Sequence, residues 1–177
     1  MSGDRRARTG NEFPLTLDPS PTFPADPGPA RFSDGPGRLL GGLRRTHPLA
    51  EAGPGIAAQW AEFRTWGPLP GRVGDAVYGA ICGVADGRIE FLCGVEVADL
   101  AHLPEGIGRM RVPPAHYAVF EHRGPAAATG ATWQAIMNDW LPRSGRTPAP
   151  SPDFEIHRPG STVVEIWVPV LPLGTAG

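Results

Sequence analysis

The stretch PDFEIHRPGSTVVEIWVPV, residues 152–170, predicts two short strands joined by a Pro-Gly turn. Apolar residues alternate with polar or aromatic ones in both strands, so one face belongs to a core. If residues 159–161 form the loop, Glu155 lies opposite Glu165 on the other face. Directly opposed like charges destabilise a sheet, so this arrangement indicates that a ligand or a proton relieves the repulsion.

The composition limits the classes of protein to consider. The 177 residues suffice for one domain, or for two small halves packed as one. A hydrophobic fraction of 41% is enough for a core. The net charge of −2 argues against a nucleic-acid-binding surface, which needs a basic patch that displaces counterions. We therefore expect no direct binding of nucleic acid.

A second hairpin is predicted upstream, with its turn at Asp86-Gly87. Gly79 and Gly83 inside its strands indicate a bulge or a close approach of backbone or ligand. Cys82 and Cys93 would be diagonal neighbours in this hairpin, about 7–8 Å apart, which is too far for an undistorted disulfide. We therefore expect reduced thiols and a cytoplasmic location. No apolar segment suits a signal peptide or a membrane span, so no membrane contact is expected.

The chain divides into an extension and a regular domain. Residues 1–36 are rich in Pro and Gly, and we expect a flexible extension there. The alternative is that residues 30–33 add an edge strand. The regular domain spans residues 37–177, in halves at about 37–98 and 107–171.

Both halves show the same order of predicted elements. A strand at 38–46 precedes a helix at 54–66 and a hairpin at 76–97. A strand at 109–124 begins the repeat, which continues with a helix and ends with the hairpin quoted above. The order β-α-β-β, read twice, predicts an α+β fold with a curved antiparallel sheet, two main helices and a pseudo-twofold axis. A pocket where the halves meet is a natural place for a ligand.

A resemblance to a known family is carried by two stretches, LPEGIGRMRVPPAHYAVFEHRGPAAATGATWQAIMNDWLPRSG (103–145) and SPDFEIHRPGSTVVEIWVPV (151–170). Together they resemble the GyrI-like small-molecule-binding domains, which also serve as effector-binding domains of AraC-type and MerR-type multidrug regulators. The shared features are a YAvF-type strand, a WLP segment, a Glu in an FE-x-aromatic strand, and a last strand of the form E-I-aromatic-x-P. The resemblance runs from about Arg38 to Val170 and implies a duplicated β-α-β-β fold of the SHS2 type.

The resemblance also implies a site: an aromatic pocket with a buried Glu that binds lipophilic cations and similar drug-like molecules. It places the pocket carboxylate at Glu155. The other ligand-binding residues that it implies are Trp167, Trp133, Glu165, Tyr78 and Trp60. We also expect His157 and Tyr117 to take part in the site. His157 stands where many relatives have an aromatic residue, and a protonated imidazole there would repel a cationic ligand.

Elementary chemistry allows two interpretations of the carboxylates. A buried carboxylate is costly unless it is compensated, and a lipophilic cation supplies the missing charge. Aromatic faces add about 0.5–2 kcal/mol each through cation–π attraction. The alternative is that Glu155 and Glu165 face water on one side of an antiparallel sheet. Core packing explains Trp133 equally well, and Tyr117 suits either the core or the pocket.

Two functions follow from these observations. No helix-turn-helix is predicted before the domain, so we expect a stand-alone effector-type domain. We favour the binding of lipophilic, often cationic or planar aromatic molecules for drug or toxin sensing or sequestration. The alternative is a hydrolase that opens reactive cyclopropane-bearing natural products, with Glu155 positioning water and Tyr78 steering protons. The His spacing predicts no metal site, and no Gly-rich nucleotide loop is present, so we expect no cofactor.

Overall fold

The computed structural model of the protein describes residues 28–173, and the expectations for residues 1–27 lie outside this range. The eight strands are β1 (Arg31–Gly35), β2 (Arg38–Pro48), β3 (Val77–Ala85), β4 (Arg88–Glu96), β5 (Gly108–Val112), β6 (Ala115–Arg123), β7 (Phe154–His157) and β8 (Val163–Pro169). The first helix, α1 (Ala52–Phe63), follows a 3₁₀ turn. The second helical segment consists of a 3₁₀ turn (Ala126–Ala128), α2 (Thr129–Gln134), a π-helical turn (Ala135–Trp140) and α3 (Leu141–Arg143). Across residues 28–173, every helix is too short or too polar to span a lipid bilayer.

All strands form one antiparallel sheet in the order β1-β6-β8-β7-β3-β4-β2-β5. The first half supplies β2, β4 and β3, and the second half supplies β6, β8 and β7 in the mirrored order. The halves meet where β3 pairs with β7. This arrangement confirms the predicted α+β fold, with duplicated halves, a curved sheet and two main helices.

The sheet is curved because the chain connects its two ends directly. β1 pairs with β6 from Arg31↔Val119 to Gly35↔Ala115, and β2 pairs with β5 from Arg38↔Val112 onward. The register is continuous through the break at residues 36–37 and 113–114. Since β1 leads directly into β2, and β5 into β6, the two ends of the sheet are covalently linked and must curl towards each other.

The edge strands differ from the preferred prediction. Strand β1 occupies residues 31–35, within the segment expected to be flexible, so the alternative of an added edge strand is the one that forms. The strand predicted at 109–124 is two strands, β5 and β6. Pro113 and Pro114 separate them, because proline lacks the amide hydrogen that a ladder needs.

The register of the closing hairpin also differs from the prediction. Glu155 pairs with Ile166, and Glu165 pairs with Ile156, so the two carboxylates point to opposite faces and do not oppose each other. The connection between β7 and β8 spans residues 158–162 rather than a three-residue loop. The alternation of apolar residues did not fix the register, because Glu155 and Ile156 are both buried.

A bulge shifts the register of the first-half hairpin as well. The turn lies at Asp86-Gly87, as predicted, with φ values of 51° and 69°. A β-bulge between Ile81 and Gly83 leaves Cys82 outside the regular pairing, so the diagonal arrangement expected for the cysteines does not form. Both cysteines are free thiols, as expected.

The sheet is covered on both faces. Its concave face forms one core around Tyr117, Phe154 and Trp167. Its convex face carries the helices: α1 packs on Leu43, Phe91 and Cys93, and the second helical segment packs on the Phe120 and Ile166 side of the sheet. Consequently, successive residues of the central strands are buried alternately in the concave core and under the helices.

Helix α1 is fixed to the sheet by a buried amide. Gln59 is 3% exposed, and its Nε2 donates hydrogen bonds to the carbonyl oxygens of Leu43 (2.8 Å) and Phe91 (2.9 Å). Its Oε1 lies 2.7 Å from Nε2 of His47. Because all polar atoms of this side chain are engaged, α1 has a defined position over β2 and β4.

We predict that Gly42→Ala destabilises the domain by about 2–3 kcal/mol, because it forces an overpacked contact. A Cβ at this position would lie 2.1 Å from the carbonyl oxygen of Cys93 and 2.5 Å from Cα of Gly94. Urea unfolding followed by tryptophan fluorescence measures the change. Gly83→Ala is the control, since a Cβ there meets nothing within 4 Å and is expected to shift the free energy of unfolding by less than about 0.5 kcal/mol. Equal unfolding midpoints for the two variants would contradict the prediction.

Candidate functional site

The floor of the candidate site is a pair of residues at the junction of the halves. Gly79 of β3 pairs with Glu155 of β7, at the midpoint of the ladder between residues 77–81 and 153–157. A Cβ on Gly79 would lie 2.7 Å from Cζ of Phe91 and 3.1 Å from Cζ2 of Trp60. The glycine therefore leaves room for the carboxylate and for an indole above it.

The Glu155 carboxylate is buried but has partners on both oxygens. The residue is 4% exposed. Its Oε1 accepts a hydrogen bond from Nε1 of Trp133 at 2.5 Å, and its Oε2 lies 2.7 Å from Nε2 of His157. Hydrogen bonds to a charged acceptor offset part of the cost of removing the carboxylate from water. The carboxylate is thus held between the second helical segment and its own strand.

His157 connects the carboxylate to the first half. Its ring lies 5.2 Å from the Trp60 ring of α1, at an interplanar angle of 61°. The side chain is 18% exposed, so one edge of the imidazole is accessible to solvent or a ligand. Four of the predicted ligand-binding residues are therefore brought together: Glu155, His157, Trp133 and Trp60.

A cavity of about 670 Å³ opens beside this cluster. It lies between α1, the loop that follows α1, and the start of the second helical segment. His157 forms part of its wall, and the apolar part of the wall is formed by Trp60, Phe63, Trp66, Leu69, Val77 and Val95. The volume is in the range that holds drug-sized ligands.

Of the eight predicted residues, Trp60 and His157 line this cavity, and Glu155 and Trp133 adjoin it through the contact of Glu155 with His157. The other four lie elsewhere. Tyr78, Tyr117 and Trp167 belong to the core on the opposite, concave face of the sheet. The Tyr78 hydroxyl donates a hydrogen bond to Oε2 of Glu96 at 3.0 Å. Burial raises the pKa of Tyr78 to about 12, which keeps the phenol protonated. The Tyr117 ring packs edge-on against Trp167, at 5.4 Å between centroids.

Glu165 belongs to an ion-pair cluster on that concave side. Its carboxylate accepts hydrogen bonds from Arg31 at 2.6 Å and from Arg158 at 2.7 Å. Burial acts to raise the pKa of Glu165, but the hydrogen bonds from Arg158 and Arg31 lower it overall. Because Glu155 and Glu165 point to opposite faces of the sheet, the repulsion expected between the two carboxylates is absent.

Some residues of the site were missed from the sequence. The helical spacing of Trp60, Phe63 and Trp66 predicted a packed helix face but not that the same face borders a cavity. Arg64 and Arg72 also line the cavity, and nothing in their sequence context distinguishes them from surface arginines. Within residues 28–173, no group of three or more His, Cys, Asp or Glu side chains is placed to hold a metal ion.

Comparisons with solved structures give the same fold. SAV2435, solved bound to tetraphenylphosphonium, superimposes with a TM-score of 0.65 at 20% identity, over 81% of this chain and 94% of that one. An integron cassette protein of Vibrio cholerae superimposes with a TM-score of 0.62 at 21% identity, over 80% of this chain and 95% of that one. At these identities the likeness concerns the fold.

A curated relative is a regulator. The transcriptional regulator BrlR of Pseudomonas aeruginosa is 35% identical over 80 residues, which are 45% of this chain and 30% of BrlR. The chain therefore spans about a third of the length of this relative.

The family assignment rests on nearly the whole described range. The sequence model of the GyrI-like small molecule binding domain matches residues 30–171, from the residue before β1 to the residues that follow β8. The chain belongs to the family of GyrI-like small-molecule-binding domains.

Proposed function

We propose that this domain binds lipophilic aromatic molecules, cationic ones among them, in the cavity beside Glu155. The observation that carries the proposal is a buried carboxylate held by Trp133 and His157 next to an apolar, aromatic cavity wall. Such a site needs shape and one charge rather than a fixed hydrogen-bond pattern, and so suits several related ligands.

The physical basis of the affinity is desolvation and charge. Trp60, Phe63 and Trp66 offer apolar area to a ligand, and each aromatic face near a cation adds about 0.5–2 kcal/mol. Glu155 is already buried in the free protein. Part of the free-energy cost of desolvating its carboxylate is therefore met during folding and does not weaken ligand binding. A cation that reaches Glu155 gains more from it than from an exposed carboxylate.

The comparisons support this proposal in two ways. A protein of the same fold was solved with tetraphenylphosphonium, a lipophilic cation. A relative of the chain is a transcriptional regulator. We therefore propose that ligand binding serves drug or toxin sensing, or sequestration, in the cytoplasm.

We predict that Glu155→Gln weakens the binding of a cationic rhodamine ester at least about tenfold, which corresponds to about 1.4 kcal/mol. The amide keeps the shape of the side chain but removes its charge. Quenching of the cavity tryptophans in a fluorescence titration measures the dissociation constant.

Glu165→Gln is the matched control for this titration. It removes the same charge on the opposite face of the sheet, where Arg31 and Arg158 engage the carboxylate. We expect the affinity for the dye to change less than about twofold, since the group is outside the cavity. Equal weakening in both variants would contradict a specific role of Glu155.

A second prediction concerns the selectivity of the site. His157 occupies Oε2 of Glu155 at 2.7 Å and competes with a cationic ligand for it. His157→Phe should therefore bind the cationic dye about threefold or more tightly, through a freed oxygen and an added aromatic face. The affinity for an uncharged planar dye of similar size should change little. Weaker binding of the cation by His157→Phe would show that the imidazole helps to hold the ligand.

A hydrolase is the second candidate, favoured by the contact between the Glu155 carboxylate and the His157 imidazole beside the cavity. A carboxylate that orients an imidazole is an arrangement able to accept a proton from water. Tyr78, expected to steer protons, has its hydroxyl on Glu96 at 3.0 Å, on the other face of the sheet. A hydrolase of this fold would therefore rely on Glu155 and His157.

The hydrolase candidate predicts that the protein adds water to an electrophilic cyclopropane compound, detected by mass spectrometry as the ring-opened product. The rate should fall at least about a hundredfold in Glu155→Gln, because the proton acceptor is disabled. Tyr78→Phe should keep the rate within about twofold. No turnover by the wild type, with tight binding of the same compound, would leave binding as the function.

A further inference from the structure

Two exposed arginines are among the residues that line the cavity. Arg64 follows the last turn of α1, and Arg72 lies in the loop that leads to β3, where it forms an isolated bridge with Val97. Both residues line the cavity, together with His157. No acidic residue is among the residues that line it. The charged groups presented directly to the cavity are therefore basic.

The Arg72 guanidinium is oriented by backbone groups alone. Its Nε donates to the carbonyl oxygen of Gly74 at 3.1 Å, and its Nη2 donates to that of Asp75 at 2.6 Å. Neutral acceptors of this kind position the group but leave its charge uncompensated. No carboxylate among residues 28–173 forms an ion pair with Arg72 or Arg64.

Arg64 and Glu155 are both close to the buried Cys93 of β4, which lies in one row of the sheet with Gly79 and Glu155 and packs under α1, the helix whose C-cap residue is Arg64. Burial raises the pKa of Cys93 on β4, and the negative charge of Glu155 raises it further, whereas the positive charge of Arg64 opposes them. Glu155 forms no ion pair with either arginine and is not among the residues that line the cavity, so it leaves both guanidinium groups available to a ligand.

We infer that the natural ligand is an aromatic molecule with an anionic group, such as a carboxylate, that binds between Arg64 and Arg72 while its aromatic body lies on the tryptophans. The inference rests on the proposed function, because it concerns the ligand of the same cavity. Arginine suits this role, since its planar group donates two hydrogen bonds to a carboxylate. A ligand with a cationic or hydrogen-bond-donating end would also reach Glu155.

The test compares a zwitterionic rhodamine that has a free carboxylate with its ethyl ester. The two dyes share the cationic ring system and differ only in the anionic group. We expect the wild type to bind the free acid at least about threefold more tightly than the ester. This ratio of the two affinities, free acid over ester, should fall as salt is added. In Arg64→Gln/Arg72→Gln the ratio should fall to about one, through weaker binding of the free acid.

Two further variants serve as controls for this test. Arg64→Gln alone leaves the backbone contacts of Arg72 in place and should lower the ratio part of the way. Arg111→Gln removes the same charge from strand β5, outside the cavity, and should leave the ratio unchanged.

The outcomes separate the two proposals. Binding of both dyes with a ratio near one in the wild type would overturn this inference and leave the proposed function intact. A ratio above three that persists in the double variant would overturn it as well. Binding of neither dye would overturn the proposed function, and this inference with it.

Discussion

The pairing of β3 with β7 is the constraint on which the rest of the molecule depends. It is the point where two three-stranded units become one sheet, and it is short, because β7 has only four residues. Its middle pair, Gly79 and Glu155, lies beneath His157 and Trp60, which line the cavity. Any side chain at position 79 would compete with Phe91 and Trp60 for space, so the same glycine permits both the junction and the site.

The elements of the fold could be predicted from the sequence, because they depend on local signals. Helical spacing predicted α1, the Asp86-Gly87 dipeptide predicted a turn, and the repeated order of elements predicted the duplication. The register could not be predicted in the same way. A strand buried on one face shows its register through alternation, whereas Glu155 and Ile156 are neighbours that are both covered, each by a different core.

The same limit applies to the site. Eight site residues were predicted from the sequence, and those on the face of Glu155 are gathered around it, namely His157, Trp133 and Trp60. Tyr78, Tyr117, Trp167 and Glu165 lie beneath the sheet. For Glu165 and Trp167 a register shifted by one residue was sufficient for this difference, because it exchanges the faces of one strand relative to its neighbour. The two arginines that line the cavity follow the end of α1 and lie in the next loop, for which the sequence carries no periodic signal.

The position of Glu155 opposite Gly79 has a consequence for how such a site can arise. The two residues occupy equivalent places in the two halves, at the midpoint of the ladder that joins them. Two identical subunits associating in this way would place either two carboxylates or two glycines against each other. The first would bring like charges together in a buried position, and the second would provide no charge at all. Joining the halves in one chain allows the two sides of the axis to differ, so that one half contributes the charge and the other contributes the space around it.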